Sequence, residues 1–399
     1  MTTSHWRRSA SPEPIVCDAL VVGAGVCGVS AALHLERRGL NVRIIDRDRL
    51  CSGASGRNAG FLMRGAADNY AAGIRAYGRD TARALWKLTE DNLAGLRAEG
   101  IESLPNYQRV PSVLLAISEE EHDQLRESLT LLHEDGLAAG WVDRSSGTDT
   151  VWQRNAALGG LVNPNDAACH PVELVAHLAS KFAHPVLEHQ EALAISPSGR
   201  DLTVRTSDFS IHTSHVLICT NAYAQLLLPS FASLVSPRRG QMLAIRPGNR
   251  RLDASYYAHH GSEYFRQTLD GTIVVGGCRT YHAHDEVGYE DLTTPAVQSD
   301  IERFAAQILG ADRDNPLEVI ARWSGTMGFS PDGLPLVGPI GGGGGDEADR
   351  AGRVWFCGGF TGHGMSMAYR TAQLAIAAML DGADNPFPID RHFATAAAH

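Results

Sequence analysis

The chain has 399 residues, 44% hydrophobic and 20% charged, with 35 basic against 45 acidic side chains and a formal net charge of −10. This composition excludes a wholly disordered or fibrous chain, and an acidic balance with no run of Lys or Arg argues against a nucleic-acid-binding surface. The length suits two or three modules better than one small core.

In chain order, residues 1–15 read as a disordered arm. Ala19–Val22 is a short apolar strand, followed by Gly23-Ala24-Gly25-Val26-Cys27-Gly28 and an Ala/Leu-rich helix, Val29–Arg38, that Gly39 caps. Leu40–Ile45 reads as a second strand that ends in Asp46 and Arg47. This is the strand–turn–helix–strand setting in which GxGxxG binds a dinucleotide. Gly23 permits the tight turn, Gly25 lets pyrophosphate approach the backbone, and Gly28 permits close helix–strand packing. The helix N-terminus favours the phosphate charge. Asp46 stands where a carboxylate receives ribose hydroxyls, and an acid there disfavours the 2′-phosphate of NADP. The small residues of Cys51–Gly60, among them Gly53, Ala54, Ser55, Asn58, Ala59 and Gly60 with Arg57, leave room for further phosphate and flavin contacts.

Further along, Tyr70–Gly100, Ser118–Gly136 and Pro171–Phe182 carry helical patterns, the second opened by Ser118 and three acids. Leu202–Thr206 and Ser210–Thr220 alternate like strands, and Tyr264–Arg266 and Thr272–Gly277 read as a hairpin about Asp270-Gly271. The glycines at 341–345, with Asp346–Arg353, read as an exposed flexible loop. The seven cysteines are scattered, with no CxxC pair, so neither a disulfide framework nor a metal site is expected and a reducing cytoplasm fits best. No uninterrupted apolar stretch of ~20 residues is present, so no membrane span is expected.

The opening fingerprint continues into GASGRNAGF (Gly53–Phe61), and three later segments go with it: RRGQMLAIRP (Arg238–Pro247), GTMGFSPDGLPLVGPI (Gly325–Ile340) and CGGFTGHGMSMAYRTAQLAI (Cys357–Ile376). Together these resemble the FAD-dependent oxidoreductases of the D-amino-acid oxidase group, which includes the glycine, sarcosine and γ-glutamylputrescine oxidases. The resemblance spans nearly the whole chain. It implies an α/β fold: a Rossmann-like FAD-binding domain plus an α+β substrate domain built on an antiparallel sheet. The FAD domain would comprise residues 16–105, 165–225 and 325–399, and the substrate domain residues 106–164 and 226–324. Ala192 would meet adenine through its backbone. The turn around Gly359, Thr361, Gly362, His363, Gly364 and Met365 would face the flavin ring.

Departures from the group carry information. The position where sarcosine oxidases attach flavin to cysteine is Gly325, so the FAD here would be non-covalent. The positions of the group's substrate-anchoring side chains hold Met327, Ser366 and Gly60. Replacement anchors are therefore expected among Tyr257, His259, His260, Tyr264, Arg266 and Arg279, with His363 a further candidate. Arg238 and Arg239 are expected to divide between domain contacts and solvent. The resemblance implies oxidation of a small-molecule amine or amino acid to an imine and then a carbonyl compound, with electrons passing to oxygen or another acceptor. The γ-glutamylputrescine oxidase branch is resembled most, which favours a longer or secondary amine over glycine. The rivals are an FAD-dependent 2-hydroxy-acid dehydrogenase and a non-catalytic flavin-binding accessory subunit or tRNA-modification module.

Overall fold

The computed structural model describes residues 13–66, 68–311, 313, 315–340 and 352–392. Most of the expected N-terminal arm and nearly all of the 341–353 loop lie outside the described residues. Two large sheets organise the chain. The first has seven strands, with the path Leu336–Pro339, Val354–Gly358, Ser210–Ile218, Ile15–Val22, Val42–Ile45; Asp201–Arg205 and Ala194–Ser198 branch from Ser210–Ile218. Ile15–Val22 pairs in parallel with both Val42–Ile45 and Ser210–Ile218. The crossover between Ile15–Val22 and Val42–Ile45 is the helix Val26–Glu36, buried along nearly its whole length beneath the last helix, Gly364–Asp381. Gly28 lets its helix lie close on the turn and the first strand: a Cβ there would fall 1.8 Å from the Gly23 carbonyl oxygen and 3.3 Å from Val21.

The second sheet has eight strands, in the order Val319–Phe329, Ser236–Ile245, Ile273–Gly276, Glu263–Gln267, Ser255–Ala258, Ser112–Ala116, Gly159–Asn163, Gly140–Asp143. Its pairs are antiparallel except Ser255–Ala258 with Ser112–Ala116. The pleat sends alternate residues to opposite faces. Tyr256, Phe265, Leu243 and Ile273 join a core that includes Phe304 of the helix Pro295–Leu309. Tyr257, Tyr264 and Met242 face the other way, onto Phe61 and Ala59.

Local details depart from the sequence expectations for identifiable reasons. The Tyr70–Gly100 pattern is two helices, Tyr70–Tyr77 and Arg79–Ala98, broken at Gly78 with φ +81. The Glu263–Gln267/Ile273–Gly276 hairpin closes through a longer turn than Asp270-Gly271, because Thr268 N–H donates to the Thr272 carbonyl while Asp270 accepts from Thr272 N–H. The strand Val319–Phe329 continues through 325, so residues 325–329 belong to the eight-stranded sheet. Ser118 forms a capping box with Glu121 on the helix Glu119–Glu134. Among the described residues no helix is long and apolar enough to cross a membrane.

Candidate cofactor cleft and substrate cavity

The parallel strands Ile15–Val22 and Ser210–Ile218 end beneath a cleft of about 580 Å³, the crevice where open α/β sheets take ligands. Gly23, Gly25, Val26 and Cys27 line one wall, and Asp46 and Arg47 stand at the end of the second strand. Asp46 Oδ2 accepts the Ala24 N–H at 2.7 Å and Oδ1 accepts the Asp48 N–H at 2.9 Å. Burial raises its pKa against those two bonds. Ser55 Oγ accepts the Val26 N–H at 3.0 Å and would lie 2.8 Å from any Cβ on Gly25. Asn58 folds the loop on itself, donating to the Ala54 and Ser55 carbonyls and accepting from Gly60 N–H.

These residues fit a dinucleotide. The bare backbone at Gly23 and Gly25 faces the cleft, Asp46 keeps free lone pairs, and the buried Thr220 Oγ1 on the cleft wall has no hydrogen-bond partner. Gly53, Ala54, Ser55, Arg57, Asn58 and Ala192 line the cleft, as do Gly362, Gly364 and Met365. Ala24, Gly28 and Gly359 instead stand behind the wall. Ala24 and Gly28 hold the turn, and Gly359 donates its N–H to Asn221 Oδ1 at 2.9 Å. Sequence reasoning missed Thr220, Asn221, Tyr223, Tyr289 and Asp291 on this wall. The Arg47 guanidinium lies 4.2 Å over the Tyr223 ring, and Tyr289 packs against Tyr223 at 5.1 Å. Tyr289 comes from a segment distant in sequence and carries no motif.

A second cavity, about 240 Å³, opens beside the first. The two share Ala54, Arg57, Asn58, Gly325, Met327, Gly362 and Met365 as common wall. Phe61, Tyr257 and Tyr264 form an edge-to-face cluster at 5.4–6.1 Å. Neither tyrosine hydroxyl is hydrogen-bonded to the described residues, and burial pushes Tyr264 up to about 12 and Tyr257 up as well, so both remain O–H donors. Arg279 lines the cavity with its guanidinium 4.7 Å over the Phe329 ring. No described carboxylate pairs with it, and burial followed by the nearby Arg238 charge lowers its pKa. Among the described residues no Asp or Glu lines this cavity.

Thr361 and His363 also face it. His363 Nδ1 lies 3.2 Å from the Thr361 carbonyl, which can only accept, and burial lowers the imidazole pKa, so the ring is neutral near pH 7. Ser366 Oγ accepts the Met63 N–H at 3.0 Å. His260 lines the rim with Nδ1 3.5 Å from Asp68.

Three expectations need correction. His259 does not line the cavity: it pairs with Glu263 at 2.7 Å and packs on Phe304. Arg266 shares a strand face with Tyr264, as alternation requires, yet its donors are taken up by the carbonyls of Ala59 and Cys169 and by Gln108. It is therefore not free to hold substrate, and Gly60 and Ala59, neither of which lines the cofactor cleft, pack against it. Arg239 is buried with Glu286 at 2.9 Å, while the half-buried Arg238 donates to the Ala283 carbonyl.

Comparison with known proteins agrees with this architecture. The sequence model of the DAO family, FAD dependent oxidoreductase, matches residues 18–378. The chain is 25% identical over 411 residues to gamma-glutamylputrescine oxidoreductase of Escherichia coli (strain K12), covering 96% of this chain and 89% of that protein. The crystal structure of glycine oxidase from Geobacillus kaustophilus superposes with a TM-score of 0.75 at 20% identity, covering 94% of this chain and 96% of the other. That of L-proline dehydrogenase from P. horikoshii gives 0.72 at 20% identity, with the same coverage. Two sheets joined at paired cavities and a matched length of this extent lead to one conclusion: the chain belongs to the DAO family of FAD-dependent oxidoreductases.

Proposed function

We propose that the protein oxidises the C–N bond of a longer or secondary amine, or of an amino acid, to an imine that water converts to a carbonyl compound. The observation that carries this reading is the common wall at Asn58, Gly325 and Met327, where a cofactor-sized cleft meets an aromatic cavity. Bound FAD supplies the two-electron acceptor chemistry, with oxygen or another acceptor taking the electrons on. The chain's own residues bind and orient. Gly25, Ser55 and Asp46 would hold pyrophosphate and ribose, and Ala192 the adenine end. Gly362, Gly364 and Met365, at the N-terminus of the helix Gly364–Asp381, would face the ring and favour negative charge there. Phe61, Tyr257 and Tyr264 would flank a neutral amine and exclude water, while Arg279 would hold an anionic group on the substrate. Neutral His363 would add no charge beside that amine.

In this reading residues 16–105, 165–225 and 330–399 form the FAD domain and residues 106–164 and 226–329 the substrate domain, the boundary lying after the strand Val319–Phe329 because that strand pairs with Ser236–Ile245 as far as Phe329. The seven buried free cysteines suit a reducing cytoplasm. The absent small-substrate anchors at Gly60, Met327 and Ser366 disfavour glycine and sarcosine. The test is anaerobic mixing of the FAD-loaded protein with a panel of amines, N-alkyl amino acids and 2-hydroxy acids. Bleaching of the flavin absorbance by an amine is expected. Bleaching only by hydroxy acids, or by none of them, would overturn the reading. Peroxide formation against dye reduction then identifies the acceptor.

A further inference from the structure

Arg266 is 4% exposed. Its Nη2 donates to the Cys169 carbonyl at 2.8 Å, its Nη1 to Gln108 Oε1 at 3.0 Å, and its Nε to the Ala59 carbonyl. All three acceptors are neutral, and no described carboxylate pairs with it. Arg239 and Arg64, equally buried, have Glu286 and Glu90. Burying an ion without a counter-ion costs several kcal/mol, and hydrogen bonds to carbonyls satisfy the donors without cancelling the charge. Burial lowers the pKa of the group, yet a guanidinium stays protonated in proteins.

The location of this charge is specific. Ala59 and Phe61 line the substrate cavity, and Asn58 belongs to the wall that both cavities share. A Cβ on Gly60, between them, would lie 2.9 Å from Arg266 Nη2. The guanidinium thus sits directly behind the loop Asn58–Phe61, in a low-dielectric interior where a charge acts at longer range than in water.

We propose that Arg266 is a positioning residue that fixes this loop and holds an uncancelled positive charge behind the flavin ring, so that negative charge arriving on the ring is favoured. The inference rests on the reading that the ring lies where the two cavities meet. It does not depend on which substrate is oxidised. Under it the charge of Arg266 is left uncancelled by the protein so that reduction, or an anion added at the ring, can supply the balance.

The test uses FAD-loaded protein and no amine: sulfite titration of the oxidised flavin, and the two-electron midpoint potential measured against a reference dye. Gln108→Glu places a carboxylate beside Arg266 Nη1 and keeps the guanidinium and its other bonds. It should weaken sulfite binding at least tenfold and lower the potential by about 30 mV, the equivalent of tenfold for two electrons. Arg266→Gln should do the same, and Arg266→Lys, which keeps the charge, should recover most of the wild-type sulfite affinity and potential. If Arg266 serves packing alone, Gln108→Glu leaves both quantities unchanged, and that result overturns the proposal even where the Arg266 variants fail to fold. An amine panel that bleaches nothing would defeat the proposed function while leaving this measurement intact.

Discussion

Trp323 donates its indole N–H to the Arg57 carbonyl oxygen at 2.9 Å, and Arg57 returns its guanidinium to the neighbouring Ser324 carbonyl at 3.0 Å. The loop that carries Ser55 and Asn58 is thereby fastened to the strand that carries Gly325 and Met327. A side chain at Gly325 would press on Arg57, since its Cβ would lie 3.0 Å from that of Arg57. The wall between the two cavities is thus a joint between residues far apart in sequence, and changes on either side of it should be felt at the cofactor.

FAD should be held without a covalent bond. No cysteine occurs between Cys278 and Cys357, and Gly325 occupies the wall of both cavities. Heat or acid denaturation should release all of the yellow chromophore into the supernatant as FAD, not FMN. Chromophore that stays with the precipitate would refute this.

Asp46 should carry much of the cofactor affinity. Asp46→Ala removes a carboxylate on the cleft wall and also frees the Ala24 N–H that it holds at 2.7 Å. FAD binding should weaken by about 1.5–3 kcal/mol, the scale of a charge-assisted hydrogen bond. Fluorescence titration of apoprotein with FAD measures it, and equal affinity in a folded variant would remove Asp46 from the ribose site.

Arg279 is the cavity cation without a carboxylate partner among the described residues, and Arg266 is engaged elsewhere. Arg279→Ala should therefore raise KM at least tenfold, about 1.4 kcal/mol, with FAD still bound. If KM stays at the wild-type value for the amine that bleaches the flavin best, the substrate has no anionic group at this position.

Glu99 should set part of the acid sensitivity. The hydrogen-bonded Arg37 guanidinium, with Tyr369 and Lys181, outweighs burial and holds its carboxyl down to about 2. In the unfolded chain the group titrates near ~4.3. Its contribution is thus fully present above that pH and is lost as the pH falls toward 2. Glu99→Gln should lower stability at pH 7 and decline less steeply from pH 5 to pH 3 in urea unfolding. Parallel curves for variant and parent would show that the pair contributes nothing.

Much of the cofactor cleft was legible in the sequence because dinucleotide binding depends on local backbone. Gly23, Gly25 and Gly28 act through the absence of a Cβ and Asp46 through its place at a strand end, each a matter of local chain geometry. The alternation of Tyr264 and Arg266 was legible for the same reason, since the pleat alone puts them on one face. What each side chain meets on that face was decided by tertiary structure. Arg266 was a plausible substrate anchor until Ala59, Cys169 and Gln108, from three distant segments, converged on its donors. His259 was drawn away by Glu263 and Phe304, and Tyr289 reached the cleft with no motif to announce it. A pattern in sequence fixes the direction of a side chain, because backbone geometry is local. Which partner occupies that direction is set by long-range packing, and here that distinction leaves Arg279 as the cavity guanidinium with no carboxylate partner among the described residues and Arg266 bonded to carbonyls behind its wall.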